Sequence, residues 1–506
     1  MRSAKRIVYI LIILLISSVS YAQDDVLDEI VDVSYEGISM EALLDSMYLK
    51  YAFNFSYDPS ALPVDSVLNV NYSQHSLYSI LQEVFKNYDL SFKSVGRQVI
   101  ISHQKREVAL SNYITLRGRV VSADNGQSIP LVNIAVMGES LGTSTNMDGE
   151  FVFLIPQHLA GAALHMSSIG YSSYNMAVPQ RDTTMLVLLR SQSVQLKEIK
   201  VRFIRPREVI KRMVENRARN YFTSPMLLTA FFRESIRQDG KYIEVSEAVL
   251  DIYKSSYLKT SDREEARLVK GRKKVEDEDV FLARLKLAGG PALFSTIDVA
   301  KHLNFISEEE DDNYFYIHKG KGIVRDRVVY RVGFKPIVEL DDIYYEGELC
   351  VDVETFALIS ADFSMTRKTL RKSDQYLIRK NAKRIKSVPV FTRYQVDYRP
   401  YGEKWILNSV RGELIIKMQD KRNKTRSEYQ ASADLLITNA QQGKDQRIRY
   451  SEAYKINYVL ADQIVGYDPM FWKDYNVIHP EEELIKIFKS TPVEINLVPQ
   501  PKKTKP

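Results

Sequence analysis

From residue 113 onward the chain alternates apolar and polar side chains in runs broken by Gly, Pro, Asn and Asp, and this period of two restricts the fold more than any other feature. Successive side chains of a strand point to opposite faces, so each run has one face to bury; a helix would scatter the same residues around its axis. Between residues 113 and 201 the runs are short: Ile114 to Val121, Asn133 to Met137, Phe151 to Ile155, Ala163 to Ser167 and Thr184 to Leu189. Short strands at this spacing predict a β-sandwich. After Arg205 the runs lengthen. Leu227 to Arg237 and Tyr242 to Tyr253 flank an Asp239-Gly240 hairpin turn. Asn313 to Lys319 pairs with Val328 to Lys335, Tyr345 to Val353 with Leu358 to Met365, and Val390 to Tyr398 with Trp405 to Lys417, before Ser427 to Thr438 returns. Residues 205–498 therefore predict a large, mostly antiparallel sheet. Helices lie at its margins, the first opened by Pro206 with Val209, Ile210, Met213 and Val214 on one face. The charged stretch Thr260 to Asp279 reads as an excursion from that sheet.

Residues 24–104 follow a different rule. An alternating segment, Ile30 to Tyr35, leads to Ser39 as N-cap, after which Met40, Leu43, Leu44 and Met47 fall at helical spacing, followed by a strand through Tyr57. The pattern then repeats: Val67 to Tyr72, Ser76 as cap, the stripe Leu77, Ile80, Leu81, Val84 and Phe85, and two strands closing around Gly96. The expected fold class is multidomain α+β. A small duplicated strand-helix-strand module comes first, then an all-β, immunoglobulin- or prealbumin-like sandwich, then the large sheet, and residues 499–506 form a basic tail.

The N-terminus supplies an address. Arg2, Lys5 and Arg6 precede the apolar run Ile7 to Ile16, and Ser20-Tyr21-Ala22 has the small-x-small form of a signal-peptidase site, predicting cleavage between Ala22 and Gln23. Gln23 stands where a lipoprotein would carry Cys. The lone cysteine, Cys350, rules out an intrachain disulfide framework, so roughly 480 mature residues rest on burial. Removing the three signal-peptide cations lowers the net charge from +6 to +3, which is no nucleic-acid footprint.

Three motifs invite chemistry. Gly138-Glu139-Ser140-Leu141-Gly142 matches the G-x-S-x-G nucleophile elbow, but the elbow needs a helix directly after the serine. Here β-branched and turn residues follow instead. A calcium loop counted from Ser144 accommodates Asn146, Asp148 and Gly149 yet places Ile155 where a bidentate Glu is required. The stretch reads as turns, with Gly142 and Gly149 serving positions that need positive φ or close approach. His479-Pro480-Glu481-Glu482 matches half of a zinc site, but no later His follows, and Pro480 with the acidic run fits a helix start. The other histidines, His75, His103, His158, His165, His302 and His318, show no ligand spacing, so neither metal nor cofactor is expected.

The doubled pattern "YEGISMEALLDSMYLKYAFNFSY" and "VNYSQHSLYSILQEVFKNYDLSFKSVGRQVIIS" resembles the secretin and TonB short N-terminal (STN) domain. That resemblance implies a periplasmic interaction module contacting outer-membrane transporters or anti-sigma-type regulators. "LRGRVVSADNGQSIPLVNIAVMGESLGTSTNMDGEFVFLIP", with "LHMSSIGYSSY" and "QLKEIKV" behind it, resembles the carboxypeptidase regulatory-like domain, with Gly142, Asp148, Gly149 and Gly170 as its turn residues. "YYEGELCVDVETFALISADFSM" is similar to the half-barrel of periplasmic lipoprotein carriers, which implies a sheet that holds acyl chains. Together with "MLLTAFFRESIRQDGKYIEVSEAVLDIY" and "DPMFWKDYNVIHPEEELIKIF", the C-terminal half also resembles uncharacterised regions of exported bacterial proteins, which brings no activity. The expectation is a non-enzymatic periplasmic protein, peripheral to the outer membrane, docking a transporter or an anti-sigma-like regulator. A lipid or lipoprotein carrier and a small outer-membrane barrel remain the alternatives.

Overall fold

The computed structural model describes residues 26–57, 66–86, 90–95, 97–103, 113–192, 204–262, 264–275, 290–302, 313–339, 342–378, 385–421, 424–442, 447–456, 458–464 and 475–489. Ala22 and Gln23, the segment 195–201 and the basic tail lie outside these residues. The protein is mostly β, and it divides into two compact units, Met1–Asn112 and Tyr113–Pro506.

The first unit contains β1 (Ile30–Ser39), α1 (Met40–Tyr51), β2 (Asn54–Tyr57), β3 (Val67–Ser76), α2 (Leu77–Val84), β4 (Leu90–Val95) and β5 (Gln98–His103). Both helices start where a serine hydroxyl can satisfy an orphan amide: Ser39 Oγ accepts from Ala42 N and Ser76 Oγ from Ser79 N, each at 3.2 Å. β1 pairs antiparallel with β3, while β5 lies between parallel β2 and antiparallel β4. Met40, Leu43, Leu44 and Met47 of α1 meet Leu77, Ile80 and Leu81 of α2 in one core.

In the second unit, β6 (Tyr113–Ser122), β7 (Asn133–Val136), β8 (Gly142–Ser144), β9 (Glu150–Pro156), β10 (Ala163–Ser167), β11 (Tyr174–Ala177) and β12 (Thr183–Leu189) form two sheets, ordered β11-β10-β7-β8 and β12-β6-β9. Alternate residues such as Ile114, Leu116, Phe151, Phe153 and Ile155 fill the space between them. The long strands are β13 (Met226–Gln238), β14 (Lys241–Lys254), β15 (Glu265–Val275), β16 (Tyr314–Val324), β17 (Arg327–Pro336), β18 (Tyr345–Asp352), β19 (Leu358–Met365), β20 (Ile385–Tyr401), β21 (Lys404–Asp420) and β22 (Arg426–Gln442). They form one open antiparallel sheet ordered β15-β14-β13-β22-β21-β20-β19-β18-β17-β16, with β15 and β16 at its edges. The last strand, β22, lies between β13 and β21.

Of the stretch Thr260 to Asp279, expected to leave the sheet, Glu265–Val275 stay in it as β15. β15 pairs along β14, and its cations find carboxylates across the strand: Arg267 is 2.6 Å from Asp251 and Arg272 is 2.6 Å from Glu247. Cross-strand charge pairing supplies what its weak hydrophobic alternation lacks.

Candidate functional site

Both faces of the ten-stranded sheet are covered by the chain itself. On one face lies α3 (Pro206–Glu215), which buries Val209, Ile210 and Met213 against Leu228, Leu250, Tyr398 and their neighbours. At one end of this face sits a water-excluded ionic cluster. Lys254 Nζ is 3.0 Å from Glu264 and 2.6 Å from Asp298, Lys301 Nζ is 2.7 Å from Glu264, and His302 Nε2 is 2.6 Å from Glu264. Tyr398 donates its hydroxyl proton to Asp298 at 2.6 Å and accepts from the Ala300 amide. Burial alone would raise the Glu264 pKa, but Lys254, His302 and Lys301 overcome it and hold the carboxyl well below its usual range. Burial also works against Lys254, whose carboxylate partners more than compensate, while Lys301 is left with a lowered pKa by burial and by the charge of Lys254. The cluster locks residues 290–302 to the ends of β14 and β15.

The other face carries the sandwich. Ser140 donates to Asn439 Oδ1 of β22 at 2.6 Å, and Arg399 of β20 donates to the Ser140 carbonyl. The edge strand β9 is closed by a side chain: Asn476 accepts from Leu154 N at 2.7 Å and donates to Leu154 O at 3.0 Å, reproducing a strand partner's two bonds. The segment after Asn476 crosses the sheet and ends in α4 (Glu482–Lys489), whose Leu484 and Phe488 pack on Tyr242 and Val245.

Between sandwich, sheet and this C-terminal segment opens a cleft of about 360 Å³, lined by Arg233, Arg237, Tyr242, Arg411, Asp434 and Glu481 among others. Its lining residue Arg233 is held by Glu247, 1 % exposed, which accepts from Arg233 Nε at 2.7 Å and from Arg272 Nε at 2.6 Å. Arg233 also reaches Glu481 at 3.2 Å and the Ile478 carbonyl at 2.8 Å, so β13, β14 and the C-terminal segment converge on one guanidinium, with β15 joined to it through Glu247. Burial would push Glu247 up, but the two arginines hold it below the carboxylate range; for Arg233 the two glutamates outweigh burial and raise it. Arg411 is shared by Asp434 and Glu413, both at 3.0 Å. Nearer solvent, Arg237 lies 3.9 Å over the Tyr242 ring. The guanidiniums of the cleft are thus paired with carboxylates of the chain itself, Arg237 with Glu483 at 3.4 Å among them, so the cleft presents a charge-compensated polar lining beside one aromatic face.

Residues 116–201 match the family model of the CarboxypepD_reg-like domain. The β6–β12 sandwich is therefore a regulatory-like domain, and that domain is not a catalytic one. No curated protein matches the chain. Among solved structures, a domain named for outer-membrane lipoprotein sorting from Vibrio parahaemolyticus shares 12% identity at a TM-score of 0.24, covering 48% of this chain and 95% of that one. A DUF1329 family protein from Desulfovibrio piger shares 11% at 0.23, covering 49% and 99%. A LolA superfamily protein from Nitrosomonas europaea shares 11% at 0.19, covering 50% and 99%. At such TM-scores the likeness supports no functional conclusion.

Within the regulatory-like domain, Ser140 is followed by β8 and its hydroxyl is engaged in the seam with β22. Gly142 has ordinary φ, but a Cβ there would stand 3.2 Å from the Ile134 carbonyl. Gly149 has φ +76, and its Cβ would come within 2.6 Å of Val120 O. Asp148 N donates to Asn146 Oδ1 at 3.0 Å in the same turn, and Gly170 turns with φ +84. These four residues thus lie in turns or close approaches of the sandwich, apart from the cleft. His479 is half-buried and shifted down by burial, with Glu481 bound to Arg233 and Glu482 opening α4. Among the described residues no group of three His, Cys, Asp or Glu is placed to hold a metal. The Cys350 thiol is pushed up to about 11 by burial, far from a nucleophilic thiolate. Sequence patterning did not single out Arg233, Glu247 or Arg272, and it placed Glu481 in a helix start. The available signal was Glu247, a charge flanked at i±2 by Val245 and Val249 on one face of a strand.

Proposed function

We propose that this chain is a non-enzymatic interaction protein of the bacterial envelope, exported by cleavage after Ala22 and peripheral to the outer membrane. In this reading the first unit, an STN-like module, docks a transporter or an anti-sigma-type regulator. The regulatory-like sandwich and the long-stranded sheet act as one body, whose polar cleft of paired arginines and carboxylates receives a polar segment of an envelope partner.

One observation carries the reading. The face of the sheet that an acyl-chain carrier would keep open is filled by the chain's own residues, with Lys254, Glu264, Asp298 and Lys301 buried at one end of it. The accessible cleft lies on the opposite face and is polar, lined by Arg233, Arg237 and Arg411 together with Glu413, Asp434 and Glu481. Buried ion pairs are hostile neighbours for a hydrocarbon chain, whereas guanidiniums beside an aromatic ring favour a protein segment. A small membrane barrel fits poorly too, since lipid would have to replace the sandwich against β20 and β22.

The test is cross-linking in intact cells followed by mass spectrometry that scores bound proteins and bound lipids together. A transporter or regulator linked within residues 24–104, with a second contact near Arg237 or Arg411, supports the reading. Acyl lipid on residues 205–498 with no protein partner sinks it in favour of a carrier.

A further inference from the structure

Residues 475–489, from Tyr475 through α4, are a strand of neither the sandwich nor the long sheet. Among their described side chains Ile478, Leu484 and Phe488 are the buried ones. Ile478 packs on Phe231 and Leu436, while Leu484 and Phe488 pack on Tyr242 and Val245. The remaining hold is through side chains. Asn476 bonds to both main-chain groups of Leu154, Thr143 Oγ1 donates to the Val477 carbonyl at 3.4 Å, and Arg233 donates to the Ile478 carbonyl at 2.8 Å. Glu481 lies 3.2 Å from Arg233, and Glu483 lies 3.4 Å from Arg237.

This is how a peptide sits in a receptor. Leu484 and Phe488, four residues apart on α4, face the sheet, whereas Glu482 and Lys486 pair at 2.7 Å in solvent. Arg272 lies 3.9 Å over the Phe488 ring. A helix as short as α4 does not persist on its own hydrogen bonds, and every residue that is ordered costs chain entropy. A segment of this length resting on three buried side chains belongs to the low-stability end of a fold, where local opening precedes global unfolding. Opening would uncover an apolar floor of Phe231, Leu436, Tyr242 and Val245, and would free the edge of β9 at Leu154. Arg233 would keep Glu247, while Arg237 would lose Glu483.

We propose that residues 475–489 are an exchangeable strap, filling from within the chain a docking groove whose external occupant is an acidic amphipathic peptide of an envelope partner. The strap shows what the groove accepts: two carboxylates for Arg233 and Arg237, then an aliphatic and an aromatic side chain four residues apart, the pattern of a helix laid in a groove. The inference deepens the docking reading of the cleft, whose wall includes Glu481 and Leu484, and rests on that reading for the external partner. Strap exchange is a property of this chain alone. Its test can fail while a partner still cross-links near Arg411, and it can succeed while no partner is found.

The experiment begins with hydrogen exchange of the mature full chain, read by mass spectrometry. Amides of residues 482–489 should exchange about a hundredfold or more faster than those of β13 and β22. A fluorescent peptide of residues 475–489 is then titrated, by anisotropy, into wild type and into the full-length variant carrying Leu484→Ala and Phe488→Ala. The weakened strap competes less, so the variant should bind the peptide about tenfold or more tightly than wild type does. Phe488→Ala in the peptide should cost about tenfold in that binding. Glu481→Gln with Glu483→Gln in the peptide should weaken binding at low salt and matter less at high salt. A protease site inserted between Gly466 and Tyr467 of the otherwise unaltered chain keeps the test decisive if the double variant does not fold: after cutting, the peptide should displace the C-terminal fragment. The proposal is overturned if residues 482–489 exchange as slowly as β13, if neither the variant nor the cut chain takes up the peptide, or if the Phe488→Ala peptide binds as well as the unmodified one.

Discussion

Replacing Glu247 with Leu should be the most damaging single conservative-volume change on the sandwich-bearing face. The carboxylate is 1 % exposed and is the common acceptor for Arg233 and Arg272, so its loss leaves two buried guanidiniums side by side. Removing one partner from a buried pair costs about 3–5 kcal/mol, because the remaining charge stays desolvated. For a unit of about 390 residues unfolding with roughly 2.1 cal/mol/K per residue, that loss lowers the melting temperature by about 4–6 °C. Differential scanning calorimetry at neutral pH reads it directly. The triple variant Arg233→Met, Glu247→Leu, Arg272→Met removes the charges together and should recover at least half of the loss, since apolar replacement of a whole buried network is often near neutral. A drop under about 1 °C for the single variant, or a triple variant as unstable as the single, would refute the idea that buried charge compensation holds this face together.

Further outcomes follow from the same geometry. Gly149→Val should cost about 3 kcal/mol or more in a thermal melt, because φ is +76 and the new Cβ would press on Val120 O at 2.6 Å; an unchanged melt would contradict the turn assignment. Ser140→Ala removes the 2.6 Å bond to Asn439 and should cost about 1 kcal/mol; loss of a hydrolytic activity with an unaltered melt would instead restore the nucleophile reading. Glu247 and Glu264 have folded-state pKa values below the ordinary 4.5, so the stability they contribute is complete above that value and is lost as pH falls below it. Asp397 and Asp434, raised by burial, run the other way and blunt the loss. Melts should therefore owe no change to the two glutamates between neutral pH and about 5 and fall more steeply in Glu247-intact protein than in the triple variant below about 4.5; equal acid slopes in the two would count against it.

Local physics was legible in the sequence. Ser39 and Ser76 cap their helices because the following amides lack partners wherever a helix begins, and Asp239-Gly240 turns a hairpin because both residues accept positive φ, here 49 and 87. Alternation told which residues of β13 share a face. It could not tell what would cover each face, because a period of two is the same whether a helix, a sandwich or lipid lies above it. It also left β15 unrecognised, since that strand is held by carboxylates of β14 as well as by its own apolar side. The cleft was hidden for the same reason. Arg233, Glu247, Arg272 and Glu481 are spread over four segments, and only the strand order β15-β14-β13-β22, set by which faces bury most against one another, brings them to one point. Residue patterns determined the strands, turns and caps by themselves, each from a few neighbouring dihedrals and amides. The seam, the ionic networks and the cleft were decided by tertiary structure, because a buried charge can persist only where distant parts of the chain deliver its partner.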